Sequence, residues 1–390
     1  IIKKKESKMR KYSIFLIIVL GLTIGFSQEW SIKSQVRSRY EAVDKDFSDT
    51  TGFNQAHYLR SRVGISFKNE KVSSFFQIQD MRVFGSETST LKDGSADNLD
   101  LHQGYFKIVD FFDFPVDVKV GRFESAYGPQ RFIGSVGWHN IGRSFDGSVL
   151  TYKHDMFDID LFNYKEVEAE TNTPEDDKNV RGFYANINAL DGHKTQAFTI
   201  QDGERLTYGG YAKGAFSGVN YEIDFAMQGG NESDDISFGG FMYGVNAGYK
   251  VAGINLSAGL DFISGNDTIT IDVNESFNTL YATNHKYYGY MDYFLNLPTH
   301  TNNLGLQDLH FKFSGISYSG FNLKGAYHIF NADQSDDSFG NELDLTLVKK
   351  YSDNVKFVGG YSLFIPGKLK SDVVDPINAS FIYLMTIVNF

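Results

Sequence analysis

The sequence predicts an all-β protein, a transmembrane antiparallel up-and-down β-barrel of eighteen strands preceded by an N-terminal signal peptide. Three observations predict it. A basic stretch leads into a short apolar run, the rest of the chain repeats segments of alternating polarity, and the links between those segments alternate between short and long.

At the start of the chain, Lys3, Lys4, Lys5, Lys8, Arg10 and Lys11 precede the apolar run Ile14–Leu22, which closes on the small residues Gly25 and Ser27. A basic flank, an apolar stretch shorter than the roughly 18 residues of a spanning helix, and small residues at its end describe a secretory signal. Residues 1–27 are therefore expected to be removed, leaving 28–390 as the barrel. Residues 1–27 hold six Lys/Arg and one Glu, so the remainder carries 31 basic and 47 acidic side chains, a net charge of −16. So acidic a chain is a poor match for a phosphate backbone, and nucleic acid is not expected as a partner. The absence of cysteine excludes disulfide frameworks, thiolate metal sites and cysteine nucleophiles together.

The repeated segments come next. With 35 Phe, 23 Tyr and 38 Gly against only 6 Pro, the composition favours strands joined by tight turns. Val219, Tyr221, Ile223, Phe225 and Met227 share one face of such a segment, and Asn220, Glu222, Asp224 and Gln228 the other. Leu59, Val63, Ile65 and Phe67 likewise oppose Arg60, Arg62, Ser66 and Lys68, and Leu256, Leu260 and Phe262 oppose Asn255, Ser257 and Asp261. A sheet with charge along one face and apolar residues along the other is not buried on both sides. In a closed barrel the apolar face meets lipid and the polar face meets a wet lumen. The last segment fits too, ending on Phe390 with Ile382, Leu384 and Val388 on the same face.

Short links are expected near Lys68–Lys71, Phe111–Asp113, Asp155–Met156, Ala189–His193, Ser217–Gly218, Val251–Gly253, Tyr318–Gly320 and Ser352–Asn354. Between them fall 41–53, 85–98, 124–146, 168–179, 230–238, 265–304, 331–340 and 365–376, mostly long and acidic, with Gln201–Glu204 the one short outer link. Eight inner and nine outer links make eighteen strands. Keeping that parity places Lys286–Phe294 inside the connection 265–304, where it dips into the pore. Barrels of about 16–18 strands leave an aqueous channel, so the fold points to passage of a solute through an outer membrane, with outer-membrane lipid around it.

Outward positions at bilayer depth must be apolar, so strand arginines are expected in the lumen. All ten arginines beyond the signal lie between Arg37 and Arg205. Arg37, Arg39, Arg60 and Arg62 fall on the polar face of the first two strands as a basic wall, while later strands offer Glu222, Asp224, Asp261, Asp308, Glu342 and Asp344. The lumen is thus bipolar. One reading is that these charges neutralise one another in a wide, hydrated pore. The other is that planar, always-charged guanidinium groups form a track for carboxylate-bearing solutes.

The stretch Gly121–Gly147, GRFESAYGPQRFIGSVGWHNIGRSFDG, crowds Arg122, Arg131, Arg143 and Asp146 into an irregular, glycine-rich segment that is expected to fold inward as a constriction. Strict alternation from Val116, Val118 and Val120 would turn Arg122 to lipid, so a bulge is expected at Gly121. Failing that bulge, Arg122 would sit at the polar rim.

This stretch resembles the alginate export family of outer-membrane barrels. The resemblance is carried by Gly121, Arg122, Tyr127, Gly128, Arg131, Ile133, Gly134, Trp138, Asn140, Gly142, Arg143, Phe145, Asp146 and Gly147, with family-like features at Arg60/Arg62, His285–Phe294, Gly305–Asp308 and Glu342–Leu345. It implies an arginine-lined lumen that passes a polyuronate outward, with Arg60, Arg62, Arg122, Arg131 and Arg143 as pore arginines, and a periplasmic export partner. A general or small-anion porin and a surface-binding barrel are the alternatives. No enzyme is expected: the histidines, among them His102, His139, His154, His310 and His328, lack metal spacing such as HExxH, and there is no nucleophile elbow. No cofactor and no metal are expected either, the acidic groups Asp44/Asp46/Asp49 and Glu175/Asp176/Asp177 reading as solvated loops without EF-hand spacing.

Overall fold

A computed structural model describes residues 29–390 except 88–89, 91–98, 169–176, 189 and 374. The signal segment 1–27, most of the link 85–98, and Glu175 and Asp176 lie outside the described residues. Eighteen strands form one sheet: β1 (Glu29–Asp44), β2 (Asn54–Lys68), β3 (Val72–Val83), β4 (Asp100–Ile108), β5 (Val116–Phe123), β6 (Phe145–His154), β7 (Phe157–Val167), β8 (Lys178–Ile187), β9 (Lys194–Asp202), β10 (Arg205–Phe216), β11 (Val219–Gly230), β12 (Phe241–Val251), β13 (Ile254–Ile263), β14 (Leu306–Tyr318), β15 (Phe321–Asn331), β16 (Ser338–Lys350), β17 (Val355–Pro366) and β18 (Ala379–Asn389). Each pairs antiparallel with the next. β18 returns to β1 in the register Gln35↔Asn389 to Asp44↔Ser380, so the sheet closes and keeps no free edge.

Closure fixes which way each side chain points. On β11, Ile223, Phe225 and Met227 are exposed while Asp224, Ala226 and Gln228 are buried, the alternation read from the sequence. The same polarity holds for Val63 and Ile65 against Arg60 on β2, and for Leu256 against Asp261 on β13. Exposed Ile32, Phe76, Ile78, Phe106, Leu150, Leu161, Phe311, Leu347, Phe357 and Leu384 extend the apolar surface around the wall. An apolar surface of this extent belongs against lipid rather than water. The protein is an integral outer-membrane β-barrel.

The one expected irregularity sits elsewhere. Register runs unbroken through Gly121↔Tyr105 and Gly121↔Gly147, so there is no bulge at that glycine. Its φ of 133° and the close backbone of Gly104 and Tyr105, which a Cβ would strike, explain why glycine stands there. Arg122 therefore keeps the outward parity of Val118 and Leu150 and pairs with Asp146 directly across β5 and β6 at 2.5 Å. The extra residue is instead His102. Gln77 pairs with Gln103 and Ile78 with Leu101, which leaves His102 unpaired on β4 and turned inward, 5% exposed.

Candidate functional site

Two long connections leave the loop end of the wall and fold into the lumen: 124–144 between β5 and β6, and 264–305 between β13 and β14. Their apolar residues Phe132, Ile133, Phe277, Tyr288, Met291, Phe294 and Leu297 join lumen-facing Phe330, Phe339 and Phe364 in one buried cluster. The two segments also bind each other. Ile133 bridges Tyr281 in parallel, the Gly134 N–H donates to Tyr281 O at 2.9 Å, and the Thr283 N–H donates to Gln130 O at 3.0 Å. Lys286–Phe294 lies within the second segment, as its place in the link parity requires, in turns rather than a strand.

Irregular backbone inside a barrel needs partners for its polar groups. The basic wall supplies donors to the first segment. Arg37 donates to Gly137 O at 2.9 Å and to His139 O and Asn140 Oδ1 at 3.0 Å each. Arg39 donates to Trp138 O at 2.5 Å and pairs with Glu41 at 2.6 Å. Arg60 reaches His139 O at 3.3 Å and Gln35 Oε1 at 2.9 Å. Arg62 reaches Ile141 O at 2.7 Å, Gln79 Oε1 at 2.7 Å and Glu124 at 2.9 Å. Four guanidinium groups thus hold the carbonyls of 137, 138, 139 and 141. Among the described residues Arg37 and Arg60 have no carboxylate partner, so their charge is not cancelled. Burial, then Arg39 and Arg37, push the His139 ring below its ordinary value, which keeps it neutral beside the wall. Arg143, within the segment, donates to the carbonyls of Gly134, Tyr281 and Ala282 and so ties both segments together.

The acidic side chains of β16, three strands from β1 around the barrel, do the converse, accepting from the second segment. The Met291 N–H donates to Glu342 Oε1 at 2.6 Å and the Tyr290 N–H to Asp344 Oδ2 at 3.2 Å. Gly289, at φ 82°, lies where a Cβ would strike the Glu342 carboxylate. Arg131 crosses from the first segment to the acidic strands, 2.6 Å from Asp261 and 3.5 Å from Asp224, with Tyr287 under its guanidinium at 3.6 Å. Burial opposes its charge, but Asp261 and Asp224 outweigh that and hold it above its ordinary range. Arg131 is therefore a buried structural charge.

Lysines and aromatic rings line much of what remains open. Three adjoining cavities of about 530, 410 and 270 Å³ share Lys286 in their walls. Lys194 and Lys312 line the largest, Lys324 and Lys356 the second, and Lys312 and Lys324 the third. Glu222, Asp224 and Asp261 also stand in the wall of the largest, and Asp344 in that of the smallest. Among the described residues none of these five lysines has an ion pair. Trp138, His285 and Tyr290 stack in the second cavity, with centroid spacings of 4.4 Å and 4.8 Å and interplanar angles of 8° and 12°, and Tyr383 meets Trp138 edge-on. Arg39 covers the other face of Trp138 at 4.4 Å. Sequence reasoning followed the arginines and did not single out Lys194, Lys324 and Lys356. The strand lysines share the polar parity that was followed for the arginines, and that parity was the signal available.

Arg37, Arg39, Arg60, Arg62, Arg131 and Arg143 are thus gathered in the lumen around the two inward segments. Arg122 and Asp146 stand apart on the outer face at the loop end, their side chains 37% and 56% exposed.

Solved outer-membrane proteins share the architecture. OccAB4 of Acinetobacter baumannii superposes with a TM-score of 0.65 at 10% identity, over 94% of this chain and 98% of that one. OccD3 (OpdP) of Pseudomonas aeruginosa gives 0.63 at 12% identity, over 93% and 91% of the two chains. OpdO of Pseudomonas aeruginosa gives 0.65 at 10% identity, over 93% and 97%. At such identity the likeness establishes the eighteen-stranded barrel and nothing finer. No curated protein matches the sequence. The family model described as alginate export, however, matches residues 28–363. With that match over most of its length, the chain belongs to the alginate export family, outer-membrane channels rather than enzymes.

Proposed function

We propose that this channel passes an anionic solute of the uronate type, a polysaccharide or oligosaccharide, along the lysine-lined cavities beside the two inward segments. The observation that carries the proposal is the wall of those cavities: five lysines without carboxylate partners among the described residues, beside the stack of half-buried Trp138 and Tyr290 around buried His285. A uronate ring presents a carboxylate to an ammonium group and an apolar C–H face to an aromatic ring, so one surface meets both halves of its chemistry. Flexible lysine heads grip a passing carboxylate less rigidly than a bidentate guanidinium, which suits transit over retention. In this proposal Arg37, Arg39, Arg60, Arg62 and Arg143 act on the solute through their field and by fixing the constriction. Arg122 and Asp146 belong to the outer rim.

Liposome swelling tests it. Vesicles holding the purified barrel are expected to swell faster in oligouronates than in neutral oligosaccharides of equal length, and Lys312→Ala with Lys324→Ala should abolish that preference while swelling in neutral sugars persists. Equal rates for both classes of sugar in the unaltered protein would make it a general porin and overturn the proposal.

A further inference from the structure

One buried cluster takes no part in holding the inward segments. Asp308 and His310 are two residues apart on β14 and share its lumen face, and His328 on β15 is the direct cross-strand partner of His310. All three are buried, and their donor atoms lie within 4.8 Å of one another. Asp308 Oδ2 is 2.9 Å from His328 Nδ1 and 3.4 Å from His310 Nδ1. Tetrahedral zinc, with bonds of roughly 2.0–2.2 Å, sets neighbouring ligand atoms about 3.3 Å apart. The cluster is therefore near ligating geometry before any ion enters.

A second observation separates it from an ordinary Asp–His pair. His328 Nδ1 already engages both Asp308 oxygens, at 3.0 Å and 2.9 Å. His310 Nδ1, by contrast, is buried without a hydrogen-bond partner among the described residues and faces the same carboxylate. A buried nitrogen left in that state costs free energy, which a shared cation would relieve. The far ring nitrogens also have neighbours. His328 Nε2 lies 4.0 Å from Asp344 Oδ2 and His310 Nε2 lies 3.2 Å from the Asn246 side-chain amide, which can turn its oxygen to that nitrogen. Only the Asn246 contact is within hydrogen-bond distance, and with its oxygen turned to His310 Nε2 it holds that ring in the tautomer that ligates through Nδ1. Lys312, beyond His310 on the same face, opposes a cation and Asp344 favours one, while Asp261, directly across from Asp308, is already paired with Arg131.

We propose that Asp308, His310 and His328 form a binding site for a divalent transition-metal ion of the zinc class, its remaining coordination position turned toward the lumen cavities that His310 and His328 help to line. Two imidazoles and one carboxylate favour zinc-class ions over the all-oxygen preference of calcium and magnesium.

The full barrel, purified in detergent and stripped with a chelator, is titrated with ZnCl2 by calorimetry. One Zn2+ per chain is expected, with affinity falling by about 100-fold or more in His310→Ala and in His328→Ala, since loss of a ligand exceeds the effect of losing an outer partner. Heat-modifiable electrophoretic mobility shows whether each variant has folded. Co2+ bound to the unaltered protein supplies a readout that needs no variant: it should show the intense visible bands of histidine-ligated, four-coordinate cobalt. No saturable Zn2+ binding, unchanged binding in a folded His310→Ala barrel, or a pale six-coordinate Co2+ spectrum would each overturn the site. Should both variants fail to fold, the cobalt spectrum decides.

Discussion

Arg131 shows what a single lumen residue does. It is buried between Asp261 and Asp224 at the wall of the largest cavity, so its removal leaves two buried carboxylates without their cation. Losing one member of such a group costs about 3–5 kcal/mol, against about 0–1 kcal/mol for an exposed pair like Arg122–Asp146. Arg131→Ala is therefore expected to loosen the segment 124–144, seen as proteinase K cleavage within it in the intact barrel, and Arg122→Ala is expected to leave it protected. Equal protection in both variants would contradict the assignment. The sequence made Arg131 a candidate through its place in an arginine-rich, glycine-rich stretch. Its partner Asp261 lies 130 residues away, and nothing local in the chain records that pairing. The metal-ligand cluster escaped for the same reason, since His310 and His328 meet across two strands rather than along one.

Strands and links were the legible level. Alternation on segments such as Val219–Gly230 reflects a physical boundary between lipid and water, so periodicity alone locates each wall element. The same logic sets a prediction. Phe225, exposed near the middle of β11, faces lipid, and Phe225→Arg is expected to cost about 2–4 kcal/mol and sharply reduce the heat-modifiable folded species. Asn220→Arg, on the polar face near the turn, should fold normally; equal yields would mean the faces are misassigned. Irregular elements were less legible. Gly121 looked like a bulge because glycine and a reversed arginine coincide there, yet the glycine serves a close backbone approach and the arginine accepts the rim. His102, the real insertion, carries no local mark. The stretch Lys286–Phe294, kept inside the connection 265–304 by the link parity, has no free ladder to join inside a closed barrel, and it turns back on itself against Glu342 and Asp344.

At the scale of the whole molecule, the division of charge was visible while its use was not. Arginines on early strands and carboxylates on late ones suggested a bipolar pore whose charges either cancel or guide a solute. The basic strands donate to carbonyls of the first inward segment, and the acidic strands accept from N–H groups of the second while also holding Arg131 of the first. The acidic groups are largely absorbed in this way, by Arg131, by the histidines and by backbone N–H groups. Lysines then dominate the space that remains, although the chain as a whole is acidic. In the proposed function, net charge describes the loops and the outside, while the lysine-lined cavities present the opposite sign to a solute.

The most direct test of that inverted field is the reversal potential of single barrels in a planar bilayer under a salt gradient. The account predicts a potential of the sign set by anions, shrinking as ionic strength rises and lysine charge is screened. A cation-selective potential in the unaltered protein would contradict it.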